Sequence, residues 1–407
     1  MKSTNRPFSL GLLFLFTAYC RLPAAYCDEV HFDRIVIDPN FPGAYQVEVA
    51  DVNGDKKPDI IAVGGSTCAW YENPTWKKRI VTGAKETPGI ISSATADIDG
   101  DDKAEIAIAY EFGMNSPTKG KLLLAGQGSG LDDPWTFKRI SDIGSIHRLR
   151  WGDVDGKDGL DLIIAPLFGP EAKPPGYQQA AATILFHPAT ARGNRNEYLL
   201  QKVSSGFVLH AIEVIDVTGD GQPDILAADN EGVQLIHFDP PEQARQSQSP
   251  WRTVSLFAGA PGEAPKRGCS EVHLGRANGK RFIATVEPWH GTQVAVWLES
   301  EAGSLKFGPR TVIDDTLADG HGLWVADIDG DGDDEIFAGH RGKDHRVSMY
   351  DLDRTSQAWK KTVIDRDIAA QDLRGGDLDG DGTPDVVAVG GSTHNVVWYR
   401  FGREQRK

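Results

Sequence analysis

The chain is poor in several residue types that would assign it quickly. It has four cysteines in 407 residues. Two of them, Cys20 and Cys27, lie in the first thirty residues, and the others, Cys68 and Cys269, are widely separated. No CxxC pair exists, which excludes a disulfide framework and a zinc-ribbon pattern and leaves Cys68 and Cys269 as buried small hydrophobes. Basic charge is also short: the formal net charge is −15, which excludes a protein that grips nucleic acid through a broad basic face. Three methionines beside 45 glycines and 23 prolines do not read as a helical bundle. No apolar run after the leader is long enough to cross a bilayer. Nucleophile elbow, P-loop and dinucleotide fingerprint are all missing, and Gly65-Ser66 and Gly391-Ser392 are turn sequences after strands. What is present is enough apolar residue for a sizeable core, at 40% of the chain.

The first residues read as an address. Lys2 and Arg6 form a positive head, and Phe8 to Cys20 is an apolar run too short to span a membrane. Residues 1–27 are expected to be a secretory signal peptide, with the mature chain starting near Asp28 and destined for the periplasm or the exterior. A lipid anchor on Cys20 or Cys27 is the less favoured alternative, because Tyr precedes each.

An internal repeat organises residues 28–407. Six times an apolar stretch enters an Asp-rich turn and leaves as another apolar stretch, starting at Asp51, Asp97, Asp153, Asp216, Asp327 and Asp377. A seventh, eroded copy lies between Arg276 and Arg281, and the copies start 46 to 63 residues apart. Each period carries four strand signals of alternating or β-branched character, such as His210 to Ile215, Ile225 to Ala228, Val233 to Phe238 and Trp251 to Phe257. Four-stranded units at this period predict an all-β, seven-bladed propeller. The last period ends after its third strand, Asn395 to Phe401, while an unmatched strand, His31 to Ile37, precedes blade 1. That N-terminal strand is therefore expected to complete blade 7 and close the ring, removing a free edge.

The turns carry oxygen-bearing side chains at positions 1, 3, 5 and 9, with Gly at position 4. These are Asp51, Asn53, Asp55 and Asp59; Asp97, Asp99, Asp101 and Glu105; Asp216, Thr218, Asp220 and Asp224; Asp327, Asp329, Asp331 and Glu335; and Asp377, Asp379, Asp381 and Asp385. Several hard oxygens on a sharp turn suit calcium, here in a structural role, with plain Asx turns as the alternative. The blade-3 copy has Lys157 at position 5 and is expected to hold no ion, and the eroded copy has lost the site. The pattern resembles the FG-GAP and VCBS repeat family over essentially all of residues 28–407. That resemblance implies acidic hairpins on the lower rim and ligands at the opposite, upper rim.

Six residues before the first turn Asp, at the opposite end of each innermost strand, stand His147, His210 and His321, with Tyr45 and Gln371 at the same place in blades 1 and 7. Histidine is scarce, eleven in all, so three at one repeat position stand out. In a closed ring these positions converge on the axis, where three neutral imidazoles can hold a divalent transition metal, zinc or manganese. Loops after the second strands add Glu287, His290, His340 and Arg341, and the innermost strands add Arg148. Ion pairing within the channel is the ordinary alternative for any one of these charges. Segments such as Gly320-His321-Gly322-Leu323-Trp324 and Ile146-His147-Arg148 resemble the propeller domain of the aldos-2-ulose dehydratase family. That resemblance implies metal-dependent removal of water from an oxidised sugar; residues 28–407 are expected to be taken up by the propeller, leaving no room for the cupin domains that follow it in that family, so their activity is not carried over.

Two functions follow. One is a carbohydrate lyase or dehydratase acting on a keto-sugar by β-elimination. In it His147, His210 and His321 hold the metal, His340, His290 or Glu287 move protons, Arg148 or Arg341 bind substrate oxygens, and Trp289 stacks on the sugar. The other is a non-catalytic, calcium-stabilised propeller that binds glycans or proteins through rim stretches Gly169 to Gln179 and Pro240 to Pro250. A first test concerns the turns: chelation should lower the melting temperature, because an ion bound only by the folded chain stabilises it by mass action. Asp327→Ala should shrink that response, and a melting curve indifferent to chelator would make the turns plain Asx turns.

Overall fold

The computed structural model describes residues 31–157, 159–187, 199–240 and 249–402. The expected signal segment, the lipid-anchor cysteines and most of the stretch from Pro240 to Pro250 lie outside the described residues. Among those described, every regular element is a β-strand, in seven antiparallel sheets of four strands each. The innermost strands are Ala44–Ala50, Ser92–Ala96, Ile146–Gly152, Ala211–Ile215, Glu271–Ala277, Gly320–Ala326 and Ala370–Gly376 for blades 1 to 7. No helix there is long and apolar enough to cross a membrane.

Burial follows strand position within each blade. Second strands such as Asp59–Gly64, Asp161–Pro166 and Asp385–Gly390 are buried along their whole length. They are sandwiched between neighbouring blades, so they read as continuous apolar runs rather than as alternation. The core accordingly lies between blades. One cluster joins Val47, Ile60 and Tyr71 of blade 1 to Val387, Val389 and Trp398 of blade 7. Cys68 and Cys269 are free and buried, as small hydrophobes.

The ring closes as the repeat count requires. His31–Asp38 runs antiparallel to Asn395–Gly402, with His31 opposite Gly402 and Val36 opposite Val397, as the outermost strand of blade 7. The eroded fifth copy is a two-residue Asn278-Gly279 hairpin with both residues at positive φ, the geometry of a tight type I′ turn. Its neighbour braces it: Asn278 N donates to Asp333 Oδ1 at 2.7 Å and Arg276 N donates to Asp334 Oδ2 at 2.6 Å.

A second closure device recurs around the seam. The Asp that ends the outermost strand of one blade accepts a hydrogen bond from a buried Tyr on the third strand of the next. Tyr350 Oη donates to Asp314 Oδ2 at 2.5 Å, Tyr399 Oη to Asp365 Oδ2 at 2.6 Å, and Tyr71 Oη to Asp38 Oδ2 at 2.6 Å. A cation completes each latch: Lys361, Arg34 and Lys78 respectively. These latches join blades 5 to 6, 6 to 7 and 7 to 1. Burial pushes the Asp314 carboxyl up, but hydrogen bonds from Lys361, Tyr350 and Thr316 outweigh it and bring its pKa down to about 2.

The latch makes a pH-dependent prediction. A carboxyl whose pKa is lower in the folded than in the unfolded chain contributes stability above the unfolded value, near 4, that is lost as pH falls toward 2. Tyr350→Phe removes one donor from a buried carboxylate, so it should cost about 1–3 kcal/mol at neutral pH. The acid limb of its melting profile should also begin at higher pH than in the parent. Superimposable profiles of parent and variant between pH 2 and 7 would remove the latch from the account of stability.

Candidate functional site

Along each innermost strand alternate side chains face the axis, and the residue six before the turn sits at its upper end. Here the repeat does something specific with histidine. His147 Nδ1 lies 2.8 Å from the carbonyl oxygen of His210, His210 Nδ1 lies 2.8 Å from that of Ser270, and His321 Nδ1 lies 2.6 Å from that of Gln371. In each case the acceptor is the matching strand start of the following blade. A carbonyl can only accept, so each Nδ1 carries the proton and each Nε2 is left with its lone pair. These histidines are held neutral: burial lowers the pKa of all three, most strongly for His147 and His321.

The rings meet on the axis, in a set that differs from the expected one. His210, His290 and His321 each offer a nitrogen within 4.8 Å of the other two. The Nε2 atoms of His210 and His290 are 3.1 Å apart, the separation expected of two ligands on one ion with bonds near 2.0–2.1 Å. Ring centroids are 5.1 Å apart for His210 and His321 and 5.1 Å for His290 and His321. His147 is beside this group, its ring 4.4 Å from that of His210, but its Nε2 faces Tyr45 Oη at 2.9 Å. Tyr45 Oη also lies 3.4 Å from His321 Nε2, so His147 stands beside the trio of closest nitrogens, where the sequence pointed to His147, His210 and His321. His290, expected only to move protons, takes that place because its loop reaches inward after the second strand of blade 5.

His290 holds a left-handed backbone, φ 50°, that is uncommon for a residue with a Cβ. Such conformations persist where the surroundings enforce them, often at functional sites. The next residue must be glycine, since a Cβ on Gly291 would lie 2.1 Å from the Glu287 carbonyl oxygen. His290 Nδ1 faces Arg341 Nη2 at 3.2 Å and Asp319 Oδ1 at 3.5 Å, and Arg341 Nε donates to Asp319 Oδ2 at 2.8 Å. Arg341 can only donate, so here Nδ1 accepts and the proton sits on Nε2, which donates to the His210 Nε2 lone pair at 3.1 Å; a metal at Nε2 needs the other tautomer, with Nδ1–H turned to Asp319.

Below the histidines lies a paired charge. Arg148, 2% exposed, reaches Glu271 Oε1 at 3.2 Å, and the same oxygen is 3.0 Å from His210 Nδ1. Burial alone would raise the Glu271 carboxyl, yet Arg148 and His210 hold it below its ordinary value. Arg148 is thus engaged in orienting His210 rather than open to a ligand.

Two expected participants stand elsewhere. Glu287 is fully buried and turned outward, accepting from Arg310 Nε at 2.6 Å, Trp297 Nε1 at 3.0 Å and Thr285 Oγ1 at 2.6 Å. His340 contacts the Ala318 carbonyl oxygen through Nδ1 at 3.2 Å, and burial, then Arg346, lowers its pKa to about 4. Neither joins the axial group. Trp289 is not an open sugar platform: it is 6% exposed and packs edge-on against Phe168 and Tyr177. Beyond that aromatic cluster the loop from Gly169 to Gln179 borders an upper-rim groove of about 1070 Å³, lined among others by Glu171, Lys173 and Gln178.

The lower-rim turns close through their own backbone. Asp327, for example, accepts from Gly330 N at 2.8 Å and Gly332 N at 3.0 Å, and Asp377 repeats the pattern. Three turns gather oxygens within 4.8 Å of one another: Asp97, Asp99 and Glu105; Asp327, Asp329 and Glu335; and Asp377, Asp379 and Asp381. Burial, with neighbouring carboxylates, pushes Glu335 up to about 9 and Glu105 to about 7.

Fold and site together define a seven-bladed propeller with an imidazole cluster on its axis. The FG-GAP-like repeat family model matches residues 51–108, and the model for the β-propeller domain of aldos-2-ulose dehydratase matches residues 122–300. Aldos-2-ulose dehydratase of Phanerodontia chrysosporium is 24% identical over 385 residues, covering 82% of this chain and 41% of its own length. The chain thus spans less than half of that relative. Among solved structures, the periplasmic gluconolactonase PpgL of Pseudomonas aeruginosa aligns with a TM-score of 0.51 at 16% identity, covering 88% of this chain and 92% of that one. A Bacteroides fragilis protein put forward as a 6-phosphogluconolactonase aligns with a TM-score of 0.52 at 12% identity, covering 89% and 94%. Both likenesses are of fold.

Proposed function

We propose that the chain is an exported, metal-dependent lyase or dehydratase that acts on a keto-sugar or related carbohydrate by β-elimination. Its metal ligands are His210, His290 and His321, and its metal is zinc or manganese. The observation that carries this reading is the convergence of three imidazole nitrogens within 4.8 Å of one another. Neutral histidines, two of them anchored to backbone carbonyls and His290 held by Arg341 and Asp319, fit a borderline transition metal and leave coordination positions open. A divalent cation bound there supplies Lewis acidity that polarises a substrate carbonyl and acidifies the neighbouring C–H.

The chain's own groups handle the protons. Asp319, its side chain 41% exposed at the mouth and tied to His290 and Arg341, is the carboxylate placed to accept the α-proton. Tyr45 is the donor to the departing hydroxyl oxygen: burial raises its pKa, so it stays protonated, and His147 Nε2 at 2.9 Å orients it. Arg341 binds substrate oxygens. The carbohydrate relative supports the substrate class, and the Asp-rich turns are read as structural calcium loops. The second reading, a non-catalytic propeller that binds glycans or proteins, is favoured by the upper-rim groove, whose lining mixes prolines with Glu171, Lys173 and Gln178.

Metal content and turnover separate the two readings. His210→Ala should abolish transition-metal binding at the axis and β-elimination while leaving calcium-dependent melting intact. Tyr45→Phe should keep the metal and lose about 10²-fold or more in turnover, the scale of a general acid. A purified chain that takes up calcium and no transition metal would leave the binding propeller as the function.

A further inference from the structure

The blade-3 turn, expected to be empty because of Lys157, is built differently from the others. In five turns the position-9 carboxylate accepts from the amide of the turn's second residue. The donors are Val52, Ile98, Val217, Ile328 and Leu378, at 2.9 to 3.2 Å. In blade 3 that carboxylate, Asp161, has instead turned Oδ1 to the Nδ1 of His187, the last residue of the third strand, Ala181–His187. Its Oδ2 is buried without a hydrogen-bond partner, although Asp161 is only 1% exposed, and Asp153 Oδ1 in the same turn is likewise buried and unpartnered. Asp155, Asp161 and His187 offer donor atoms within 4.8 Å of one another, and all three are buried. Among the described residues the blade-4 turn has a histidine, His237, at the matching end of its third strand and near Asp224, but there the position-9 carboxylate keeps two turn amides and the histidine joins no three-donor group.

A buried carboxylate oxygen with no donor is costly, and a cation is one group that would satisfy it. The imidazole decides which cation. Calcium takes oxygen ligands, whereas a set of one nitrogen and two carboxylates suits zinc and its neighbours. Lys157 stands at the edge of the place: its ammonium pairs with Asp155 Oδ2 at 3.2 Å and lies 4.4 Å from the Phe238 ring centre, and its side chain is 50% exposed, so the ion would displace it from Asp155. We propose that the blade-3 turn is a transition-metal site of the zinc type, with Asp155, Asp161 and His187 as ligands. The ion does there what calcium is proposed to do in the other turns, and it ties the turn to the third strand through a side chain, where the blade-7 turn does so through the Phe401 amide. This site stands apart from the axial histidines and does not depend on them.

The test uses the full chain carrying His290→Gln, so that the axial group is broken and blade 3 is read by itself. Stripped of metal and supplied with zinc in excess calcium, this variant should retain one equivalent of zinc and melt at higher temperature with zinc than without. Cobalt(II) in place of zinc should give visible d–d absorption. Adding His187→Gln should remove the zinc equivalent and the cobalt spectrum while the calcium response persists. Zinc uptake unchanged by His187→Gln would overturn the proposal. So would absence of both zinc and cobalt binding in the single His290→Gln variant, a readout that does not need the double variant to fold. Failure of the axial reading would show differently, as elimination activity undiminished by His210→Ala.

Discussion

The pairing of the first described strand with the last is the interaction on which the other features depend. A propeller blade buries its faces only against neighbours, so a ring left open would expose two blade faces and a strand edge. His31–Asp38 against Asn395–Gly402 makes blade 7 a sheet of both chain ends. The carboxylate of Asp38 at the end of that strand then bonds Tyr71 of blade 1. Backbone ladder and side-chain latch thus lock the same seam, and the two preceding junctions carry the same Asp–Tyr pair. The axial group inherits its geometry from this closure. His210, His290 and His321 come from blades 4, 5 and 6, and the Gln371 carbonyl that fixes His321 comes from blade 7, whose fourth strand is in place only when the termini meet.

Closure also explains how three imidazoles can be packed together without charge. Each strand-start histidine gives its Nδ1 proton to the next blade's backbone, so the ring itself sets the tautomer. Protonating such a group would place like charges about 5 Å apart in a buried setting beside Arg148 and Arg341. The same arrangement that lowers their pKa leaves lone pairs pointing inward, which is the state a metal needs. Arg148 and Glu271 form the floor of this layer as a buried pair, each compensating the other's desolvation, with Glu271 also touching His210.

How much of this was legible depended on whether a residue is phased by the repeat. The seven blades, the closing strand and the convergence of His147, His210 and His321 followed from position relative to the turn Asp, because strand alternation carries that position to the axis. Loop residues have no such phase. Glu287 ends a second strand with its side chain toward Trp297 and Arg310, and His290 lies three residues later on a loop whose left-handed turn aims it inward. Spacing alone does not distinguish those directions. The Asp–Tyr latches were hidden for another reason. Their partners lie about 35 residues apart in adjacent blades, and Asp at a strand end reads locally as a turn former.

The two rims of the ring present different donor chemistry, and the division follows from backbone shape. On the lower rim a nine-residue turn brings several carboxylates close together at positions where glycine supplies the positive φ. Short Asp side chains there also satisfy the turn's amides, giving hard oxygen clusters near solvent. On the upper rim the strand starts are crowded around the axis and remote from water, so carboxylates would be costly unless paired, as Glu271 is. Neutral imidazole is polar enough to bond a carbonyl and bulky enough to fill the channel, and it avoids that cost. Blade 3 mixes the two chemistries at one point: its third strand ends in His187, which reaches the turn and captures Asp161. Where an oxygen turn loses its position-5 acid and gains a nitrogen donor, the donor rule shifts the ion proposed for it from calcium toward the borderline metals proposed for the axis.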